Sequence, residues 1–83
     1  MPYIKNEKRI PLRFIEIGPA AETPGELVYL FTILAKKYIE AHGEKYEVFN
    51  DVIGALEGTK LELYRRKVAP YEDKKINENG EVW

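Results

Sequence analysis

The feature that most constrains this sequence is a helix start signal followed by a long amphipathic segment. Thr23-Pro24-Gly25-Glu26 combines a capping threonine, a proline at the first helical position and a glutamate that can complete a capping box. Apolar side chains then recur every three or four residues and share one stripe: Leu27, Leu30, Phe31, Leu34, Tyr38 and Ala41. This pattern predicts a helix over residues 24–41 that ends at Gly43.

A second amphipathic segment follows after a short polar stretch. Asn50 is a favourable N-cap residue, and a regular helix should end before Pro70. The main stripe of this segment consists of Val52, Ile53, Leu56, Leu63 and Tyr64. We therefore expect a helix over residues 50–69. The connection over residues 43–49 is short enough to make the two helices antiparallel neighbours.

The first 22 residues are compatible with two local structures. Their apolar side chains either alternate as in a strand, or Pro11 opens a short helix at its first position. Gly18-Pro19 ends whichever element forms. We therefore expect residues 1–22 to form a short helical or extended arm packed on the body. The apolar residues concerned are Ile10, Leu12, Phe14 and Ile17.

The tail over residues 71–83 is polar until its end. Asn79-Gly80 is a tight-turn signal, and Ile76 could pair with Val82 and Trp83 across it. The expected fold class is all-α: an antiparallel helix pair with a short N-terminal element and a small C-terminal turn or hairpin. All of it should form a single helical domain.

The small size of the chain limits the folding stability that a single copy can reach. At this length about 60% of the unfolded surface is buried, and one core rarely supplies more than about 3–5 kcal/mol. Cysteine is absent and His42 is the only histidine, which excludes disulfides and metal sites rich in these ligands. We therefore expect a homo-oligomer, most simply a two-fold dimer.

Some apolar residues are candidates for the contact between subunits. Val28, Ile33 and Ile39 lie off the main stripe of the first helix, and one chain of this size cannot cover all three. A terminal tryptophan is unfavourable in water, so Trp83 should pack against the body or a neighbouring subunit.

Two glycines inside the second predicted helix are unusual. Gly54 and Gly58 lie one turn apart, beside Leu61 and Arg65, and each should cost about 1 kcal/mol relative to alanine. They are either two tolerated weak points or a place where another backbone approaches closely. We favour the second interpretation, which makes this face a contact surface. Gly58→Ala should then destabilise by about 1–3 kcal/mol through overpacking.

Charge and hydropathy exclude several classes of protein. Thirteen basic and 14 acidic residues nearly balance, which argues against a general nucleic-acid binder. No apolar run reaches the roughly 20 residues that span a bilayer, and no signal peptide opens the chain, so we expect a cytoplasmic protein without membrane contact. Serine, glutamine and cysteine are missing while glutamate and lysine are abundant, as in proteins from hot environments.

From Thr23 onwards the chain resembles a family of short proteins of unknown function from phages, prophages and their bacterial hosts. The matching residues are Thr23-Pro24-Gly25-Glu26-Leu27, Tyr29, Asn50-Asp51-Val52-Ile53-Gly54-Ala55-Leu56-Glu57, Lys60-Leu61-Glu62, Tyr64-Arg65-Arg66, Pro70-Tyr71-Glu72-Asp73, Lys75-Ile76, Glu78-Asn79-Gly80 and Val82. The segment before Thr23 looks shorter and different, and Trp83 replaces an expected tyrosine. The resemblance implies a biological context but no activity.

One basic cluster has three possible roles. Tyr64, Arg65, Arg66 and Tyr71 could bind a nucleotide or another phosphate-bearing ligand, because arginine binds phosphate bidentately and tyrosine stacks on bases. Positive charge is also favourable at a helix C-terminus. Alternatively, an arginine pairs with a carboxylate across a subunit boundary. Arg65 shares the glycine face, so we expect Arg65→Ala to weaken assembly and Arg66→Ala to leave it intact.

No arrangement of residues predicts catalysis. The acidic residues are not spaced so as to converge, and His42 beside Gly43 has the position of a last-turn helix residue. We therefore expect no enzyme activity, no cofactor and no metal. The leading hypothesis is a homo-oligomeric interaction or accessory protein that binds itself or another protein. The alternative is a small-molecule binder that sequesters a nucleotide between subunits.

Overall fold

The computed structural model describes residues 1–83, and the chain is helical with no strand. The all-α fold class is confirmed. Its elements are α1 (Asn6–Arg9), a 3₁₀ turn (Ile10–Leu12), α2 (Phe14–Ile17), α3 (Pro24–His42), α4 (Tyr46–Leu63), a π-helical segment (Tyr64–Val68) and α5 (Ala69–Asn79). None of these helices is both long and apolar enough to cross a membrane.

Helix α3 begins where its capping signal predicts. Thr23 has an extended backbone, and its hydroxyl oxygen accepts a hydrogen bond from the Glu26 amide at 3.1 Å. The reciprocal half of the capping box differs from the expectation, because the Glu26 carboxylate accepts from the Glu22 amide at 3.0 Å. At the other end Gly43 has φ 106°, a conformation that favours glycine, and its amide bonds to the Ile39 carbonyl at 2.7 Å.

Helix α4 begins one turn earlier than predicted. It starts at Tyr46 after Lys45, which provides no side-chain cap, and Asn50 lies within the helix. The added turn places Val48 at the closed end of the helix pair, where it is only 5% exposed. Burying a valine is worth about 1.5–3 kcal/mol, which exceeds the typical value of about 1 kcal/mol for an N-cap side chain. Packing therefore decided this boundary.

The predicted helix end before Pro70 is wrong. Proline lacks an amide hydrogen and its ring clashes with the carbonyl four residues earlier. A π-helical turn resolves both problems, because the Ala69 amide bonds to the Tyr64 carbonyl five residues back. Pro70 then lies in the first turn of α5. Helical structure consequently runs without a break from residue 46 to residue 79.

The two chain termini had predicted structures as well, an N-terminal arm and a C-terminal turn or hairpin. The arm forms short helical segments between residues 6 and 17, with Pro11 in the 3₁₀ turn, so the helical alternative is confirmed. The expected packing of the arm on the body is wrong, because its large apolar side chains are exposed. The predicted tail hairpin is wrong, because Ile76 and Asn79 belong to α5. Gly80 ends that helix with φ 96°, and its amide bonds to the Ile76 carbonyl at 2.8 Å.

Helices α3 and α4 form an antiparallel pair joined by residues 43–45. The molecule extends 50 × 31 × 30 Å, and its long axis matches about 34 residues of helix at 1.5 Å per residue. The Cα radius of gyration is 16.6 Å, against about 12 Å for a compact domain of this length. The chain is therefore elongated, and Val48 is its one fully buried residue.

Candidate functional site

An open apolar groove lies between α3 and α4. Six residues of the two predicted main stripes line it, and the helices do not close over them. The groove encloses about 560 Å³. Its lining is Phe31, Leu34, Ala35, Tyr38, Val52, Ala55, Leu56, Thr59, Lys60 and Leu63, and we call this set the α3–α4 groove.

The side chains that should form the core of the helix pair remain accessible. The large ones among them, namely Phe31, Leu34, Tyr38, Leu56 and Leu63, are between 39% and 56% exposed. The chain as a whole exposes 7763 Å², whereas a compact monomer of 9.7 kDa would expose about 5,100 Å². The excess of roughly 2,600 Å² is about three times what one partner contributes to a standard interface.

The few polar groups of the groove already have partners. The Thr59 hydroxyl donates to the Ala55 carbonyl at 2.8 Å, and Lys60 pairs with Glu57 at 3.0 Å. Tyr38 donates to Asp51 at 3.1 Å, and this hydrogen bond raises the pKa of Tyr38. No buried polar side-chain atom lacks a hydrogen-bond partner. The groove is therefore mainly a surface for apolar groups, with the exposed Lys60–Glu57 pair as its one charged feature.

A polar cluster lies beside the groove and joins the N-terminus to α4. One oxygen of Glu62 accepts hydrogen bonds from the Tyr3 hydroxyl at 2.6 Å, from Arg65 at 3.1 Å and from Arg66 at 3.0 Å. Arg66 also donates to the Tyr3 hydroxyl at 3.3 Å and lies over the Tyr3 ring. Tyr3, Glu62, Arg65 and Arg66 together form what we call the Glu62 cluster.

Electrostatics in the Glu62 cluster follow from these hydrogen bonds. The Tyr3 hydroxyl, followed by the two arginines, lowers the pKa of Glu62 to about 2, because each donor stabilises the carboxylate. The hydrogen bond to Glu62 raises the pKa of Arg66 above its already high value. Glu62 is therefore ionised throughout the neutral range, and it offsets part of the positive charge of the two arginines.

The residues predicted to bind a phosphate-bearing ligand are separately engaged. Within the single chain, Arg65 and Arg66 pair with Glu62, three and four positions earlier. A pair with a carboxylate of another subunit stays a prediction. The Tyr64 hydroxyl donates to Glu72 at 2.5 Å, which raises the pKa of Tyr64. Tyr71 lies beneath the Lys75 ammonium at 5.6 Å. Two carboxylates thus reduce the positive potential of the predicted site.

Exposure differs among the predicted subunit-contact residues of α3 and the C-terminus. Ile33 and Ile39 are half-buried within the single chain, whereas Val28 is 60% exposed. Trp83 is fully exposed, so nothing in its own chain covers it. Their role between subunits stays a prediction. More uncovered apolar surface lies on the main stripe of α3, at Leu27, Leu30, Phe31 and Leu34.

Within one chain, no other helix lies against the glycine face of α4. A Cβ atom built on Gly54 has nothing within 4 Å, and one on Gly58 would lie 3.9 Å from the Met1 nitrogen, an ordinary contact. Leu61 is exposed and lies on the same side. What approaches Gly58 is the N-terminus of the chain. A contact of this face with a second chain stays a prediction.

Tyr3 is the site residue that sequence reasoning missed. It is 59 positions from Glu62, and no local pattern connects the two. The groove was missed for a different reason, because periodicity identified its residues but assumed that the helices would close. No group of three or more His, Asp or Glu side chains is arranged to hold a metal ion.

Comparison with known proteins places the chain in a family without adding a mechanism. Neither curated proteins nor solved structures give a match. A family model described as a domain of unknown function, DUF6899, matches residues 1–82. The match begins at residue 1 and so includes the arm that looked unlike the family suspected from the sequence. The chain therefore belongs to the DUF6899 family.

Proposed function

We propose that this chain is a non-enzymatic interaction protein that assembles with copies of itself through the α3–α4 groove. The observation that carries the proposal is the excess exposed surface, roughly 2,600 Å² beyond that of a compact monomer of equal mass. At about 25 cal/mol per Å², covering even 800 Å² of apolar surface would contribute about 20 kcal/mol before the entropy of association is subtracted.

The chemistry of the groove supports a protein partner over a small polar ligand. Its walls are helix stripes, and apolar helical surfaces dock against other amphipathic segments. Its polar groups are already paired within the chain. A second copy is the partner best supported, because each copy brings the same uncovered surface, as a two-fold interface requires.

The phosphate-ligand hypothesis has less support and stays a prediction. Glu62 and Glu72 lie within hydrogen-bonding distance of the residues that would bind the anion. A nucleotide would have to displace these carboxylates. A thermal-shift screen against nucleotides tests this hypothesis, since a ligand at 100 times its dissociation constant adds about 2.7 kcal/mol to the stability of the folded chain.

We also propose the phage or prophage context that the sequence resemblance suggests. The genes that neighbour the one encoding this chain would test it.

Light scattering coupled to size exclusion tests self-assembly directly. We expect the unmodified chain at micromolar concentration to show a multiple of 9.7 kDa. A monomer mass would overturn the proposal. The informative variant is Leu56→Asp, which puts a charge into the groove and should shift the mass towards one chain.

Leu61→Asp provides a matched control on the same helix. Leu61 is also exposed, but it lies five positions from Leu56, about 140° around α4 on the glycine face. We expect this variant to keep the oligomer mass, with circular dichroism confirming that both variants remain helical. Loss of assembly in Leu61→Asp but not in Leu56→Asp would identify the glycine face as the contact and overturn the groove proposal.

A further inference from the structure

The N-terminal arm has an apolar surface that its own chain does not cover. Its large aliphatic and aromatic side chains are between 53% and 86% exposed: Ile10, Leu12, Phe14, Ile15 and Ile17. The polar side chains beside them are satisfied locally. Arg9 donates to the Ile4 carbonyl at 2.8 Å, and Arg13 donates to Asn6 at 2.9 Å. The arm thus forms local helical turns without a packing partner.

The arm and the helix pair have opposite charge. Residues 1–17 carry four basic and two acidic side chains, while residues 24–63 carry four basic and seven acidic ones. The net positive charge lies in residues 5–9, whereas residues 10–17 carry one basic and one acidic side chain. Charge complementarity would therefore act beside the groove, whose only charged lining residue is Lys60, and not in it. Such complementarity fixes orientation and speeds encounter more than it adds affinity.

The Glu62 cluster determines where the arm starts. Tyr3 is held at Glu62, which precedes the groove residue Leu63 by one position and so lies about 100° around α4 from it. Residues 1–5 therefore lie beside the groove and not over it. The apolar part of the arm continues beyond this attachment, and both it and the groove remain uncovered in the same chain.

We propose that residues 10–17 of one copy occupy the α3–α4 groove of a second copy, in a reciprocal exchange of arms. This inference rests on the proposed self-assembly and specifies its contact. In such a dimer each arm covers the groove of the other copy and is itself covered by that groove. The contact is used twice, and the assembly closes with two chains.

Cysteine cross-linking tests the exchange, because the chain has no cysteine of its own. Chains carrying Phe14→Cys are mixed with mass-tagged chains carrying Leu56→Cys, allowed to equilibrate and oxidised. We expect a disulfide between the two kinds of chain, identified by mass spectrometry. Phe14→Cys mixed with Leu61→Cys is the control and should give little of this product, because Leu61 lies on the other side of α4.

Three results would overturn the exchange. A 14–56 disulfide within one chain of the double variant, at concentrations where chains are dimeric, would show that the arm folds onto its own groove. A 56–56 disulfide without a 14–56 product would show that two grooves meet directly. An oligomer that forms neither would place the contact elsewhere. If only the 56–56 disulfide forms, self-assembly through the groove stands and arm exchange does not. A monomer mass by light scattering would overturn both self-assembly and arm exchange.

A non-covalent measurement checks the same contact. Phe14→Asp should raise the dissociation constant of the dimer at least tenfold, because the arm would carry a charge into an apolar groove. Tyr46→Asp is the control, since Tyr46 is highly exposed and lies outside both arm and groove. Unchanged dissociation in Phe14→Asp would contradict arm exchange.

Discussion

Glu62 illustrates how one side chain can link distant parts of a small protein. Arg65 and Arg66 reach its carboxylate from the π-helical segment, as the spacing of three and four residues on a helix allows. The additional hydrogen bond from Tyr3 comes from the opposite end of the sequence. The surface ion pairs alone would contribute little, so the functional consequence of Glu62 is the position of the N-terminal arm.

We predict that the contribution of Glu62 to stability depends on pH. Its pKa is lowered from 4.5 to about 2 in the folded chain. Because the folded pKa is the lower one, the stabilisation is complete above about pH 5 and is lost as pH falls towards 2. Urea unfolding of the unmodified chain and of Glu62→Gln should therefore differ most near neutral pH and converge under acid.

Glu57→Gln is the control for this pH series, because Glu57 pairs only with the exposed Lys60. If the free energy of unfolding of Glu62→Gln differed from that of the unmodified chain by the same amount from pH 6 to pH 2, the hydrogen bonds assigned to the Glu62 cluster would be contradicted. The same convergence in Glu57→Gln would show that general acid destabilisation, and not the Tyr3 contact, is responsible.

Gly54 gives a second prediction for a single residue. Nothing lies within 4 Å of a Cβ atom built there, and the residue is in the interior of α4. Gly54→Ala should therefore stabilise the chain by about 0.5–1 kcal/mol, the usual gain from replacing an exposed helical glycine. The unfolding midpoint in urea measures it. A loss of stability would instead support the contact between chains that the glycine pattern predicted.

Helix α4 continues into α5 because the backbone adapts to Pro70. The π-helical turn skips the hydrogen bond that proline cannot donate and leaves room for its ring. The result is one helical rod from residue 46 to residue 79. Its length gives the molecule its 50 Å axis. A helix that ended before Pro70 would have produced a shorter molecule with a separate tail.

Replacing the proline tests this account. In Pro70→Ala the missing amide is restored, and a regular α-helical turn becomes possible. We expect helix content to be kept and stability to rise by less than the roughly 3 kcal/mol penalty of proline inside a regular helix, because the π-helical turn already relieves part of that penalty. Pro24→Ala is the control, since Pro24 occupies the first turn of α3, where a proline is well tolerated. Loss of helix content in Pro70→Ala would contradict the account.

The whole molecule exposes more surface than its size requires. Only Val48 is fully buried, and the facing stripes of α3 and α4 are open. Such a chain has little core of its own, so under the proposed self-assembly most of its stability comes from contacts with other chains.

The melting temperature should consequently depend on protein concentration. For a dimer that unfolds as it dissociates, mass action raises Tm as concentration increases. Calorimetry from about 1 to 100 μM should show this rise in the unmodified chain and a smaller one in Leu56→Asp. A melting temperature that stays constant over this range would show that the single chain is stable alone.

The amino-acid sequence alone determined the local features of this protein. Thr23 and Gly43 delimit α3 because capping and positive φ depend on a few adjacent residues. The all-α class followed from apolar periodicity, which is also local. Six of the ten residues lining the groove were identifiable in the same way, since they belong to the main stripes of the two helices.

Only the tertiary structure decided the features that depend on contacts between distant residues or on opposing free-energy contributions of similar size. Burial of Val48 moved the start of α4, and a single widened turn carried the helix past Pro70. The bond between Tyr3 and Glu62 joins residues with no local relation. Whether two amphipathic helices close on each other depends on packing along their whole length. Periodicity specifies which face is apolar but not what covers it, so the open groove could only be seen in three dimensions.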